Sequence, residues 1–147
     1  MAGEGDPRLL GVLETVIYHQ TDEAEPMLHL YRDLLGLAVV AEWEDGTALR
    51  CGAGVVLLFD RAKLAGRGEP IADHVTTGAT HVAFLGSPRE YDDWKERLGA
   101  GGVAITHEQE WAGGRRSFYF RDPAGNLIEI TGGDIWPLSS DKEWVIK

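Results

Sequence analysis

The chain has 147 residues, enough for one compact domain with a core, and a formal charge of −10 from 14 basic and 24 acidic side chains. That balance leaves no basic stripe to neutralise phosphate, which excludes nucleic-acid binding. No apolar run reaches the roughly 18 residues of a spanning helix, and the first residues carry no basic-then-apolar signal, so a cytoplasmic protein that does not engage a membrane is expected. The single Cys51 rules out an internal disulfide and agrees with a reducing compartment.

Residues 1–7 are a polar, Gly-rich lead-in. Residues 9–19 read as a strand, with Glu14 as an acidic residue inside an apolar and β-branched run. Asp22 reads as a helix N-cap with Glu25 as its capping partner. The helix that follows places Met27, Leu28, Leu30, Tyr31, Leu34 and Leu35 on one face until Gly36 stops it. Residues 37–43, 47–51 and 55–60 read as three further strands, with a hairpin turn at 44–46. This makes residues 8–62 a first β-α-β-β-β module, and residues 63–78, rich in Gly and Pro, a linker loop.

The same order returns in residues 79–133. A strand at 80–85 is followed by a helix with Ser87 as N-cap, Pro88 at its first position and Glu90 as capping partner. That helix buries Tyr91, Trp94 and Leu98 and ends at Gly101-Gly102. Residues 103–105 read as a strand edge, followed by a loop through Trp111, with Arg115 and Arg116 as solvated charges flanking the next strand. Residues 116–121 and 126–131 form a hairpin around Asp122-Pro123-Ala124-Gly125, whose Pro and Gly suit a tight turn. Residues 134–147 are a tail carrying Trp136 and Trp144.

The two modules are unequal copies of one unit, too long a repeat for a solenoid. Glu14 and His81 occupy the same place in the first strand of each copy, and Glu129 lies in the last strand of the second. A carboxylate in an apolar strand costs several kcal/mol unless it is paired or bound to a cation. One imidazole and two carboxylates converging on a point would hold Fe, Mn, Ni, Co or Zn with positions left open for substrate. Singly, each residue has a plainer reading: Glu14 on the solvent face, His81 as a hydrogen-bonded core histidine, Glu129 as the partner of an arginine. Arg50 is a candidate for a substrate carboxylate or phosphate, or for pairing with Glu14 or Glu129. Trp43, Trp111 and Phe118 are candidates for an aromatic pocket wall or for core filling, with Trp111 read as pocket and Phe118 as core, and His74 is either a linker acid/base that reaches over the cavity or an exposed loop histidine.

Leu13-Glu14-Thr15-Val16-Ile17-Tyr18, Leu30-Tyr31-Arg32-Asp33-Leu34-Leu35-Gly36-Leu37, Gly78-Ala79-Thr80-His81-Val82-Ala83-Phe84 and Ser117-Phe118-Tyr119-Phe120-Arg121-Asp122-Pro123-Ala124-Gly125-Asn126-Leu127-Ile128-Glu129 resemble the vicinal oxygen chelate superfamily. That superfamily holds glyoxalases, extradiol dioxygenases, fosfomycin-resistance transferases and bleomycin-binding resistance proteins. The resemblance implies an α+β fold, two paired βαβββ modules forming a curled mixed sheet around a cavity. It also implies metal ligands at Glu14, Leu58, His81 and Glu129. Leu58 cannot bind metal, and Glu14 stands where His is commoner, so the four-ligand glyoxalase pattern is broken and a three-ligand set remains.

Two functions follow. In the first, a divalent transition metal on Glu14, His81 and Glu129 activates a small molecule chelated through vicinal oxygens, while Glu129 or His74 moves a proton. In the second, the cavity is a metal-free trap of the bleomycin-resistance type, its acidic cleft capturing a cationic aromatic drug. A homodimer is expected, with the apolar residues of the tail, Ile135, Trp136, Trp144, Val145 and Ile146, buried between copies.

Overall fold

A computed structural model describes Pro7 and residues 12–65 and 77–135. Among the described residues, eight strands fall into two β-α-β-β-β modules, with one further short helix following the first module. Strands β1 (Glu14–His19), β2 (Ala38–Trp43), β3 (Gly46–Cys51) and β4 (Gly54–Asp60) form one four-stranded sheet in the order β1-β4-β3-β2. Strands β5 (His81–Gly86), β6 (His107–Glu110), β7 (Arg116–Arg121) and β8 (Leu127–Gly132) form the second, in the order β5-β8-β7-β6. The first and last strands of each module pair in parallel and the remaining pairs are antiparallel, so each sheet is mixed and open. No helix among the described residues is long and apolar enough to cross a membrane.

Strand alternation sends one face of each sheet into a single shared core. Ile17, Leu49, Val56 and Leu58 from the first sheet meet Phe118, Phe120, Ile128 and Ile130 from the second, with Met27, Leu30, Tyr31, Tyr91 and Leu98 of the helices between them. Two polar clamps also join the modules. The Tyr31 hydroxyl donates to Asp122 Oδ2 at 2.8 Å, and Arg97 donates to the backbone oxygens of Leu34 and Asp33.

The first helical segment starts earlier than its sequence suggests. Gln20, not Asp22, is the N-cap, and the Gln20 N–H donates to Glu23 Oε2 at 2.8 Å in a capping box. A 3₁₀ turn (Thr21–Glu23) leads into α1 (Ala24–Leu28), which widens into a π-helical stretch (His29–Leu34) closed by the Leu35 N–H on the Leu30 oxygen at 2.9 Å. Gly36, at φ 74°, stops it. Ser87 caps the second helix as expected, accepting from the Glu90 N–H at 3.3 Å, with Pro88 in the first turn ahead of α3 (Tyr91–Ala100).

Two other elements differ from expectation. The strand expected at 103–105 is β6, at His107–Glu110, a polar edge strand; Val103 and Ile105 pack on the core from an unpaired segment. The start of the linker is a helical turn, α2 (Arg61–Ala65), whose Leu64 packs with Tyr18, Ala48, Leu57 and Phe59 on the other face of the first sheet. His74, Trp136, Trp144, Val145 and Ile146 lie outside the described residues, whereas Ile135 is buried by its own chain.

Candidate metal centre

The Asp122–Asn126 turn and its neighbours set the position of Glu129. Asp122 is buried, and its carboxylate accepts from the backbone N–H groups of Ala124 and Asn126, from the Asn126 amide and from the Tyr31 hydroxyl. Asn126 passes that order to β5 by accepting the Thr80 N–H at 2.9 Å, while the Leu127 N–H donates to the Thr80 oxygen at 2.9 Å. β5 and β8 are thereby locked in a parallel register that pairs His81 with Leu127 and Ala83 with Glu129. His81 and Glu129 then share a face, and His81 Nε2 stands 3.2 Å from Glu129 Oε1.

The chemistry of this pair is unusual. His81 Nδ1 lies 2.9 Å from the Leu127 carbonyl oxygen, which can only accept, so Nδ1 carries the proton. In the neutral ring Nε2 then aims a lone pair at a carboxylate oxygen, and in the imidazolium it donates an N–H to it. Glu129 is 3% exposed, and its Oε2 is buried without a hydrogen-bond partner among the described residues. Two acceptors facing each other, with a third buried and unpaired beside them, call for a cation or an added proton. An imidazole whose other N–H is held by a backbone carbonyl is also the usual state of a metal-bound histidine. The nitrogen and oxygen donors suit a borderline divalent transition ion.

Register places further side chains on the same face. Tyr119 pairs with both Glu129 and His107, and its ring lies 6.1 Å from that of His81 and 5.6 Å from that of His107. Burial raises the Tyr119 phenol above its ordinary value; the Ser117 hydroxyl opposes the shift, and the Glu129 carboxylate adds to it both by its charge and as a hydrogen-bond acceptor. Trp111 is half-buried and donates from Nε1 to Ser117 Oγ at 2.8 Å, which fixes the indole against this face. Tyr119 and His107 were not among the candidates read from sequence. The signal was the run Phe118-Tyr119-Phe120, in which two buried phenylalanines force the tyrosine between them to the opposite face.

The other candidates sit on the first sheet. Glu14 is exposed and lines a crevice of about 210 Å³ whose other wall includes Val82, Ala83 and Phe84 of β5. Arg50 and Glu14 both pair with Val55 and so share a face, but the exposed Arg50 has a contact only to the Ala53 oxygen at 3.5 Å and no ion pair among the described residues. Trp43 is 47% exposed and stacks on Phe59. Among the described residues of one chain, no three His, Cys, Asp or Glu side chains gather into a metal-holding group. One chain thus joins His81 to Glu129 and leaves Glu14 apart from them. The first-module counterpart of Glu129 is Leu57 rather than Leu58. Glu14 and Val16 pair with Val55 and Leu57 as His81 and Ala83 pair with Leu127 and Glu129, and Leu58 faces the core.

Comparison with known proteins converges on one family. Residues 16–130 match the model of the Glyoxalase/Bleomycin resistance protein/Dioxygenase superfamily. The chain is 31% identical over 106 residues to the glutathione transferase FosA of Serratia marcescens, covering 71% of this chain and 70% of that protein. It is 28% identical over 109 residues to the metallothiol transferase FosB of Staphylococcus haemolyticus, covering 74% of each. The structure of a lactoylglutathione lyase from Agrobacterium tumefaciens superposes with a TM-score of 0.79 at 32% identity, covering 90% of this chain and all of that one.

Proposed function

The chain belongs to the Glyoxalase/Bleomycin resistance protein/Dioxygenase superfamily, and within it we propose a divalent-metal-dependent enzyme acting on a small molecule chelated through neighbouring oxygens. The observation that carries this reading is the buried, unpartnered Glu129 Oε2 beside a histidine whose Nε2 faces the same carboxylate. His81 and Glu129 would hold the ion from one chain, and Glu14 of a second copy would complete the set. Exposure of Glu14, and of Leu13 next to it, supports a contribution across a homodimer. The metal would act as a Lewis acid that polarises the chelated oxygens.

The chain's own residues supply the rest. Glu129 Oε2, without a hydrogen-bond partner among the described residues, is an acceptor for the ion or for a proton. The Tyr119 phenol, held protonated, is a donor beside it. Trp111 forms an aromatic wall against which a planar substrate can lie. The metal-binding and glutathione-related names among the similar proteins support a metal and a small-molecule substrate for this chain as well.

Metal content tests the reading. Protein purified without chelator or His-tag is expected to hold close to one divalent ion per chain, and His81→Ala to lose most of it while keeping its circular dichroism. Wild-type protein that neither retains nor takes up a transition metal would favour the metal-free drug trap instead.

A further inference from the structure

We propose that the groove between the first helical segment and α3 binds a small organic cation with a flat apolar body, an arylalkyl amine being the simplest case. The groove lies on the helix side of the sheets, opposite the face that carries Glu129 and Tyr119. It holds about 260 Å³ between Leu34 and Leu35 on one wall and Glu90, Asp93 and Trp94 on the other. That is room for one aromatic ring and a short chain, below the roughly 300 Å³ at which drug-sized pockets begin. The site is independent of the metal reading above.

Contacts at the far end of α3 hold the two walls apart. The Leu34 side chain sits 2.8 Å from where a Cβ on Gly101 would stand, so the first helical segment meets the end of α3 at a residue without a side chain. Beside that contact Arg97 donates from Nε to the Leu34 oxygen at 2.7 Å and from Nη2 to the Asp33 oxygen at 3.1 Å. This two-pronged clamp fixes the separation of the segments. Trp94 is half-buried and anchored on the core, its Cδ1 3.8 Å from where a Cβ on Gly86 would stand. Its indole N–H has no acceptor among the described residues.

The rim sets the sign of the ligand. Glu90 and Asp93 against Arg97 leave the groove with an excess negative charge, and two of the Arg97 nitrogens are already engaged by carbonyl oxygens. The Asp93 carboxylate makes no hydrogen bond or ion pair among the described residues, and the Glu90 carboxylate accepts only from the Ser87 hydroxyl, through Oε2 at 3.1 Å. An anion would meet repulsion here, and a neutral apolar molecule would gain from Leu34, Leu35 and Trp94 alone. A cation adds both carboxylates and the indole ring, whose face attracts positive charge. Its charged end then lies at Asp93 and Glu90, and its ring against the leucines.

The test titrates the full chain with 2-phenylethylamine, with 2-phenylethanol as the uncharged control and 3-phenylpropionate as the anionic one. Binding is read from the Trp94 indole N–H signal, assigned from Trp94→Phe. The amine is expected to shift that signal saturably and to bind about tenfold more tightly than the alcohol, while the anion leaves it unmoved. Asp93→Asn and Glu90→Gln should each weaken the amine by about threefold and together by about tenfold, whereas Asp93→Glu keeps the wild-type affinity. Both positions are exposed, so circular dichroism should not change. A Trp94 signal that the amine does not move saturably would overturn the assignment, as would equal affinity for amine and alcohol, or for wild type and the double variant. Amine shifts confined to Trp43 or Trp111 would also overturn it and would favour the drug trap on the other face. Metal content enters none of these readouts, so failure here is distinguishable from failure of the metal reading.

Discussion

Asp122 shows how a buried acid can serve structure while another a few residues away serves chemistry. Every oxygen of Asp122 is occupied, by two backbone N–H groups, the Asn126 amide and Tyr31, whereas Glu129 keeps one oxygen empty. Tyr31→Phe removes one donor of several and is expected to cost about 1 to 2 kcal/mol, while Asp122→Ala strands all of them and should cost about 3 kcal/mol or more. Urea unfolding midpoints measure both. The contrast was only half legible in sequence. His81 and Glu129 declare themselves as polar residues in apolar strands, but Asp122 and Asn126 look like ordinary turn formers until their partners in β5 and the first helix are known. Leu58 was misassigned for a physical reason. Residues 55–59 are uniformly apolar, so no alternation reveals which side faces the helices.

At the level of elements, polar edges and helix starts departed from expectation. β6 was placed too early because Val103 and Ile105 look like strand residues, yet the ladder with β7 is made by His107, Glu108, Gln109 and Glu110, whose side chains carry no apolar signal. The turn α2 is held by Asp60, which accepts the N–H groups of Ala62 and Lys63 at 3.0 and 3.1 Å. Burial alone would raise the Asp60 carboxyl, but those N–H groups, the Thr21 hydroxyl and His19 together hold it below its ordinary value. A carboxyl whose folded pKa lies below its unfolded one adds stability above the unfolded value and loses it as pH falls through the folded value. Wild type should therefore be more stable than Asp60→Asn at neutral pH, and the gap in urea midpoint should shrink on acidification below about pH 4. A gap that grows in acid would contradict this role.

For the whole molecule, the separation of Glu14 from His81 and Glu129 makes the assembly itself testable. Glu14→Gln and His81→Ala each lack one ligand, and each alone should bind little metal. If a site draws Glu14 from one protomer and the His81–Glu129 pair from the other, a mixed dimer regains one intact site of two. Unfolding and refolding the two variants together should then recover about a quarter of wild-type metal content, since half the dimers are mixed. No recovery from a mixture shown by mass to contain mixed dimers would place the whole site within one chain. The exposed Val12, Leu13 and Leu85 provide apolar surface for such a contact.

The core fed by both modules has one more consequence, for how the chain can be divided. Tyr31 packs 6.4 Å from Phe84 of the other module, and the side chain of Leu34 lies against Gly101. Each half is thus the missing wall of the other's interior, despite its repeat-like outline. A polypeptide covering residues 1–70 or 71–147 alone should stay largely unfolded, whereas the two expressed together should reassemble without a peptide link and melt in one transition. The repeat preserves the form of an autonomous unit after autonomy itself has gone.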